Sequence, residues 1–172
     1  MPRKTLLVSP LKERKLIPEL CKKIVEKYPD LTPKNTLVIM VSPDYSATVA
    51  MHVAHHLSAD GEMCDILPIH VAYPDETIKN YVDRATMDLH FHFQFTDTSY
   101  TNYVLVEAGV IRGGTYTWLT NLLKKKVVGK IITTTLYENV GSKFKSDVVG
   151  EYYDDSKQDL TFYFERYNKH WN

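Results

Sequence analysis

The chain has 172 residues, of which 44% are hydrophobic and 24% are charged, so it is long enough to bury a core as one globular domain. Its 21 lysines and arginines balance its 21 aspartates and glutamates, which argues against a general nucleic-acid or membrane-surface binder. No apolar run approaches the ~20 residues of a membrane span. Two separated cysteines, Cys21 and Cys64, without a secretion signal indicate reduced thiols in a cytoplasmic protein.

The first part of the chain predicts a helix and a buried strand after a short apolar stretch. Thr5–Val8 fits either a strand or a packed N-terminal arm. Apolar residues recur at helical spacing from Lys12 to Tyr28. Pro18 should then lie near the first turn of that helix, where its missing N–H costs little. Thr36–Val41 is an unbroken apolar run, which is typical of a parallel strand buried on both faces.

A second helix is predicted after this strand, and Asp44 or Ser46 can cap it. Its apolar residues face inward from Ala47 to Leu57, and its outer side carries three histidines, His52, His55 and His56. Their spacing can place two imidazoles on one zinc ion. No carboxylate or cysteine completes a local site, so a solvated histidine face is favoured over a metal.

The later segments alternate strands with turns. Five strands are predicted here, at Met63–Val71, Leu89–Phe95, Tyr103–Glu107, Lys130–Tyr137 and Asp159–Tyr167. Pro68 favours an edge position for the first of them. The second carries His90 and His92 on its more solvent-exposed face.

The most informative stretch follows Tyr103. An apolar strand ends at the acid Glu107, a glycine-bearing turn follows, and a helix-like segment begins at Thr115. Glycines let the backbone approach a bound oxyanion, and the first amides of a helix point at it. Arg112 adds a fork of donors and Thr115 adds a hydroxyl. This pattern predicts a phosphate-binding loop made of Arg112, Gly113, Gly114 and Thr115. A tight turn that binds nothing is the alternative.

The order of these residues resembles the signature of the type I phosphoribosyltransferases, in particular the hypoxanthine/xanthine type. In that family an apolar strand runs into two acids, a short apolar stretch and a Gly-Gly-Thr or Gly-Lys-Thr phosphate loop. The resemblance covers roughly Thr36 to Asp155 and includes Lys145–Gly150, which is similar to the segment that packs on the base. It implies one domain over residues 1–172 with a three-layer α/β/α fold, a mostly parallel sheet and a core at about 36–155. The N-terminal helix and C-terminal strand are additions to that core.

The resemblance also implies a role for each site residue. The phosphate loop would hold the 5′-phosphate of a nucleotide or of phosphoribosyl pyrophosphate (PRPP). Glu107 would be the catalytic acid at the ribose hydroxyls, although a cap or an ion pair explains it equally well. Val148 and Tyr152 would line the base pocket. Mg²⁺ would be the cofactor of an active enzyme, and no cofactor is implied otherwise.

Two parts of the sequence depart from the family pattern. Ala108 stands where the second acid is expected, and the pyrophosphate turn at Asp44 and Tyr45 has neither glycine nor cation. A carboxylate beside a pyrophosphate adds like-charge repulsion.

The sequence therefore favours a phosphoribosyltransferase-like protein that binds a nucleotide or phosphosugar and in which catalysis is lost. A homodimer or a regulatory protein partner is compatible with such a role. The alternative is an active enzyme that transfers ribose 5-phosphate from PRPP to a nucleobase or other acceptor with Mg²⁺. A dinucleotide-binding site is excluded because no G-x-G-x-x-G follows the first strand.

Overall fold

Strands and helices alternate along the part of the chain that the structure, a computed structural model, describes, namely residues 4–69 and 100–162. The strands are β1 (Lys4–Val8), β2 (Thr36–Val41), β3 (Asp65–Ile69), β4 (Asn102–Val110), β5 (Lys130–Asn139), β6 (Val148–Tyr153) and β7 (Gln158–Phe162). The helices are α1 (Pro10–Lys27), α2 (Pro43–His56) and α3 (Gly114–Leu123). No helix in the described ranges has both the length and the apolar character needed to cross a membrane.

Five of these strands form one parallel sheet with the order β3-β2-β4-β5-β6. The chain leaves β2 through α2 towards β3 on one side, and it leaves β4 through α3 towards β5 on the other. The strand order thus reverses between β2 and β4. Open α/β sheets bind ligands in the crevice outside the carboxyl ends of the strands at such a reversal.

The two faces of this sheet carry separate apolar cores. On one face, residues of α1 and α2 such as Leu20 and Ala54 pack around Val104 of β4. On the other face, Leu119 of α3 packs around Leu105 of β4. Helices therefore cover both faces, which confirms the predicted three-layer α/β/α fold with a mostly parallel sheet. The double burial also explains the unbroken apolar run of β2.

The first helix differs from the prediction at its start. Ser9 is its N-cap and accepts a hydrogen bond from the Lys12 amide at 3.2 Å, so the helix begins at Pro10. The prediction that Pro18 lies near the first turn is therefore wrong, because Pro18 is inside the helix. Its side chain is exposed, so its ring displaces no core residue. Cys21 of the same helix is buried in the apolar core.

Helix α1 also covers one edge of the sheet. Strand β6 is the outer strand on that side. The Lys23 ammonium donates to the carbonyls of Val149 and Gly150, both at 2.9 Å. The Lys27 ammonium donates to the carbonyl of Asp147 at 2.6 Å. Lysine side chains thus satisfy backbone acceptors along this edge.

Strands β1 and β7 form a second, two-stranded parallel sheet, so Thr5–Val8 is a strand rather than an arm. This small sheet lies on the carboxyl-terminal half of β4 and β5. Phe162 of β7 packs against Tyr137 with ring centroids 6.1 Å apart. A Cβ atom on Gly109 would lie 3.3 Å from Leu160 Cδ2.

Some predicted segments lie partly or wholly outside the described residues. Met63–Val71 is a strand from Asp65 to Ile69 and is not described beyond that point. Asp159–Tyr167 is described to Phe162. The predicted strand Leu89–Phe95, with His90 and His92, lies in the range that is not described.

Candidate functional site

The predicted phosphate loop lies at the carboxyl end of β4, beside the reversal in strand order. Strand β4 continues past Glu107 to Val110 and α3 begins at Gly114, so only residues 111–113 join them. Gly113 is the N-cap of α3 in a left-handed conformation (φ 76°, ψ 12°), and no side chain of the cap bonds the helix amides. Arg112 is exposed, whereas Thr115 is buried. The structure thus brings Arg112, Gly113, Gly114 and Thr115 together at one helix N-terminus.

The β5–β6 loop, residues 140–147, covers one side of this helix start. A Cβ atom on Gly113 would lie 2.2 Å from Phe144 Cβ and 2.9 Å from Ser142 Oγ. The Phe144 ring also contacts Tyr116 of α3 edge-on, with centroids 5.3 Å apart. Gly113 is therefore required for the close approach of the β5–β6 loop. Its lack of a side chain has this structural role whether or not a ligand binds.

Asn139, the last residue of β5, connects three segments around this loop. Its side-chain Nδ2 donates to the Ile111 carbonyl at 3.0 Å. Its Oδ1 accepts from the amides of Gly141 at 3.1 Å and Asp155 at 3.3 Å. Sequence reasoning missed this residue because β5 was expected to end at Tyr137. The available signal was the Asn-x-Gly spacing, which is typical of an Asx turn.

A buried carboxylate precedes Asn139. Glu138 is 0% exposed and lies beside Val110 of β4 in the sheet register. Its Oε2 accepts from the Ser146 amide at 2.8 Å. Among the described residues its Oε1 has no hydrogen-bond partner, but it is 3.6 Å from the ammonium of Lys145, which is itself largely exposed. The site therefore contains a buried carboxyl group with a lysine beside it at the surface.

Tyr116 fixes α3 to the sheet. Its side chain is fully buried, and its hydroxyl lies 2.5 Å from the Thr134 carbonyl and 3.2 Å from the Leu105 carbonyl, to which it can donate. Burial holds the pKa of Tyr116 well above its usual range, and the nearby negative charge of Glu107 raises it further. Glu107 itself is half-buried within β4, opposite Thr135 of β5. It lies inside the strand rather than at its predicted end.

The predicted pyrophosphate turn lies across the crevice, at the end of β2. Asp44 and Tyr45 are in the first turn of α2. Ser42 before them has a left-handed backbone (φ 52°, ψ 75°), which is unfavourable for a residue other than glycine. The Ser46 hydroxyl bonds the Ser42 carbonyl at 3.0 Å and also contacts the Val41 carbonyl. These bonds hold a strained turn at the point where the crevice opens.

The two residues predicted for the base pocket are not brought together. Val148 and Tyr152 lie on the same strand, about 13 Å apart at ~3.3 Å per residue. Val148 is buried in the core on the α1 side, whereas Tyr152 is 56% exposed and lies beside Glu138. Of the two, only Tyr152 is at the carboxyl edge near the phosphate loop.

The three histidines of α2 are exposed, and His56 Nδ1 lies 3.0 Å from the His52 carbonyl. Within the described ranges, no group of three or more histidine, cysteine, aspartate or glutamate side chains could hold a metal ion.

Comparison with known proteins identifies the fold. No family model and no curated protein sequence matches the chain. Among solved structures, the Helicobacter pylori xanthine-guanine-hypoxanthine phosphoribosyltransferase is 16% identical with a TM-score of 0.65, over 99% of this chain and 98% of that one. A hypothetical protein from Neisseria gonorrhoeae with bound ppGpp is 12% identical with a TM-score of 0.66, over 98% and 96%. A Trypanosoma cruzi hypoxanthine phosphoribosyltransferase complexed with the product IMP is 16% identical with a TM-score of 0.64, over 89% and 78%. The chain therefore has the fold of the type I phosphoribosyltransferases.

Proposed function

We propose that this chain binds a 5′-phosphorylated ribose compound, a nucleotide or PRPP, in the crevice between β2 and β4, and that it no longer catalyses phosphoribosyl transfer. One observation carries the proposal: α3 starts at the strand-order reversal behind a left-handed Gly113 that supplies no side-chain cap. The positive end of a helix dipole and its first amides favour a phosphate there. The exposed Arg112 adds a positive charge beside them.

The similar structures support a nucleotide as the ligand. One of them was solved with ppGpp and another with IMP, and both ligands are phosphorylated nucleosides. The likeness covers most of each chain, so the proposed crevice belongs to the shared part of the fold. A nucleoside monophosphate needs only the phosphate loop and a surface for the base.

Loss of catalysis is supported by the surroundings of the acids. Ala108, in place of the second acid, is 1% exposed and belongs to the apolar core on the α1 and α2 side. Glu107 therefore remains as a single acid in this strand. Across the crevice, the turn from Ser42 to Ser46 contains no cation. PRPP would thus find few partners for its ribose hydroxyls and pyrophosphate.

The alternative is an active phosphoribosyltransferase, and it draws on the near-complete coverage of the Helicobacter pylori enzyme. Mg²⁺ is usually held by one or two carboxylates together with substrate phosphates, and Glu107 is the acid that could contribute. The cation would then supply charge stabilisation for the pyrophosphate leaving group.

Calorimetric titration with IMP, GMP, AMP and PRPP, each with and without Mg²⁺, tests the proposal. We expect a monophosphate to bind in the micromolar range and more tightly than PRPP, with little effect of Mg²⁺. Arg112→Gln should weaken binding roughly tenfold to a hundredfold, since a charge-assisted contact contributes about 1.5–3 kcal/mol. The matched control is Arg14→Gln on α1, where Arg14 is also exposed. Mg²⁺-dependent release of pyrophosphate from PRPP with a nucleobase would favour the alternative, and no binding of any compound would contradict both.

A further inference from the structure

We infer that Asn139 is a positioning residue of the proposed phosphate site. Its side-chain amide holds the loop of residues 111–113 in the shape that directs the first amides of α3 towards a phosphate. This inference rests on the proposed function and adds to it a residue that lies outside the phosphate-loop motif.

Asn139 acts directly on the start of the loop. The hydrogen bond from its Nδ2 to the Ile111 carbonyl fixes the peptide at which the chain leaves β4. Only residues 111–113 separate the two elements, and Gly113 at the far end has the left-handed conformation of the N-cap. Fixing one end of so short a segment leaves its remaining peptides little freedom. The orientation of the Gly113–Gly114 peptide therefore depends on the Asn139 bond.

Asn139 also acts on the far end of the loop through the β5–β6 loop. Its Oδ1 accepts from the Gly141 amide, where the β5–β6 loop begins. That loop brings Phe144 and Ser142 against Gly113. One side chain thus fixes the 111–113 connection at its first residue and supports the β5–β6 loop, which packs on its last residue.

Because Asn139 is buried, its role is to position other groups rather than to bind the ligand itself. The residue is 3% exposed, and its side chain already makes three hydrogen bonds within the protein. It has little remaining capacity to bind a ligand. Anion binding by backbone amides depends on their alignment, so a residue that sets the alignment can change affinity without touching the phosphate.

The test compares Asn139→Ala with Asn35→Ala. Asn35 is a matched control because its side chain also organises a turn, donating to the Asp30 carbonyl and accepting from the Thr32 amide, both at 2.9 Å. It lies just before β2, at the opposite end of the sheet. Both variants lose side-chain bonds to backbone, but only Asn139→Ala loses them at the proposed site.

The readouts are the dissociation constants for IMP and inorganic phosphate, and the amide NMR shifts of Gly113 and Gly114 without ligand. We expect Asn139→Ala to weaken both ligands at least tenfold and to shift both amides, and Asn35→Ala to change neither. Asn139→Ser, which keeps a weaker acceptor for the Gly141 amide, is measured in parallel. It should give an intermediate loss, and it serves as the test if the alanine variant does not fold.

Two results would overturn the inference while the proposed function stands. One is unchanged affinity in both Asn139 variants, and the other is an equal loss in Asn35→Ala, which would indicate a general effect of destabilisation. A wild-type protein that binds neither probe would instead refute the proposed function, and the inference with it. The behaviour of the wild type distinguishes the two failures.

Discussion

Replacement of Gly113 by alanine tests how closely the β5–β6 loop rests on the start of α3. Two costs add in this variant. A left-handed backbone is unfavourable by about 1–2 kcal/mol for a residue with a Cβ atom. The new methyl group would also lie 2.2 Å from Phe144 Cβ and 3.1 Å from Phe144 Cα, which are not the end of a flexible side chain. The β5–β6 loop must therefore move, and overpacking of this kind costs about 1–3 kcal/mol.

Gly61→Ala provides the matched control. Gly61 has a nearly identical backbone angle, φ 80° against 76°, but a Cβ atom there would meet no atom of the described residues within 4 Å. Its expected cost is the backbone term alone, about 1–2 kcal/mol. We expect Gly113→Ala to lose about 2–5 kcal/mol in the free energy of unfolding measured with urea. The difference between the two variants reports the contact between the two loops.

Equal losses in the two glycine variants would refute this reasoning, since they would mean that Phe144 does not press on Gly113. The comparison also bears on ligand studies. A bulky residue at Gly113 would hinder the approach of a phosphate to the backbone, but it would displace the β5–β6 loop as well. Loss of binding in such a variant would therefore have two explanations, which is why Arg112→Gln is the better probe of the site.

Three further results are expected. Lys145→Ala should lower the free energy of unfolding by about 1–3 kcal/mol because it removes the cation beside the buried Glu138 carboxyl group. The same substitution should cost less in a Glu138→Gln background, and equal losses in both backgrounds would contradict the pairing. Burial raises the pKa of the Cys21 and Cys64 thiols from 9.0 to about 11. Their contribution to stability should therefore be complete below pH 9 and lost as the pH rises through 11. Urea unfolding across this range measures the effect, and a double alanine variant without cysteines should lose this part of the pH dependence. Ala108→Asp would restore the second acid of the family pattern. It should destabilise the protein by about 3–5 kcal/mol because it buries an unpaired charge in the apolar core. A fully stable variant would show that this position can open to the crevice.

The sequence predicted four of the five strands of the central sheet, and it was most accurate for β2, which is buried on both faces. Strand β6 was not among the predicted strands. The apolar run of β2 gave the bounds Thr36–Val41 without error. Strands β4 and β5 both extend beyond their predicted ends, and the added residues include Gly109 and Glu138, which have low strand propensity. Both residues belong to strands because β4 and β5 pair along this stretch. Gly109 lies opposite Tyr137, and Val110 lies opposite Glu138. Such pairing joins segments that are distant in the sequence, so it cannot be read from the local periodicity of apolar residues.

The candidate site divides in the same way. The glycines, the arginine and the threonine of the predicted phosphate loop could be proposed from the sequence because they are neighbours in one turn. Asn139 and Glu138 were missed because they bond partners outside their own strand, at Ile111 and at Ser146. Val148 was assigned to a base pocket by resemblance, yet it is buried in the core on the α1 side. The order of residues along the chain does not show which positions of β6 face the core and which face outward.

The lysines of α1 that cover strand β6 have a consequence for assembly. An uncovered outer strand is a template on which another chain can add a strand of its own. Here the carbonyls of Asp147, Val149 and Gly150 already accept from Lys23 and Lys27. A second copy of the chain that approached this edge would have to displace two ammonium groups before its amides could bond. Continuous sheet extension through β6 is thereby disfavoured, and any self-association should use another surface of the protein.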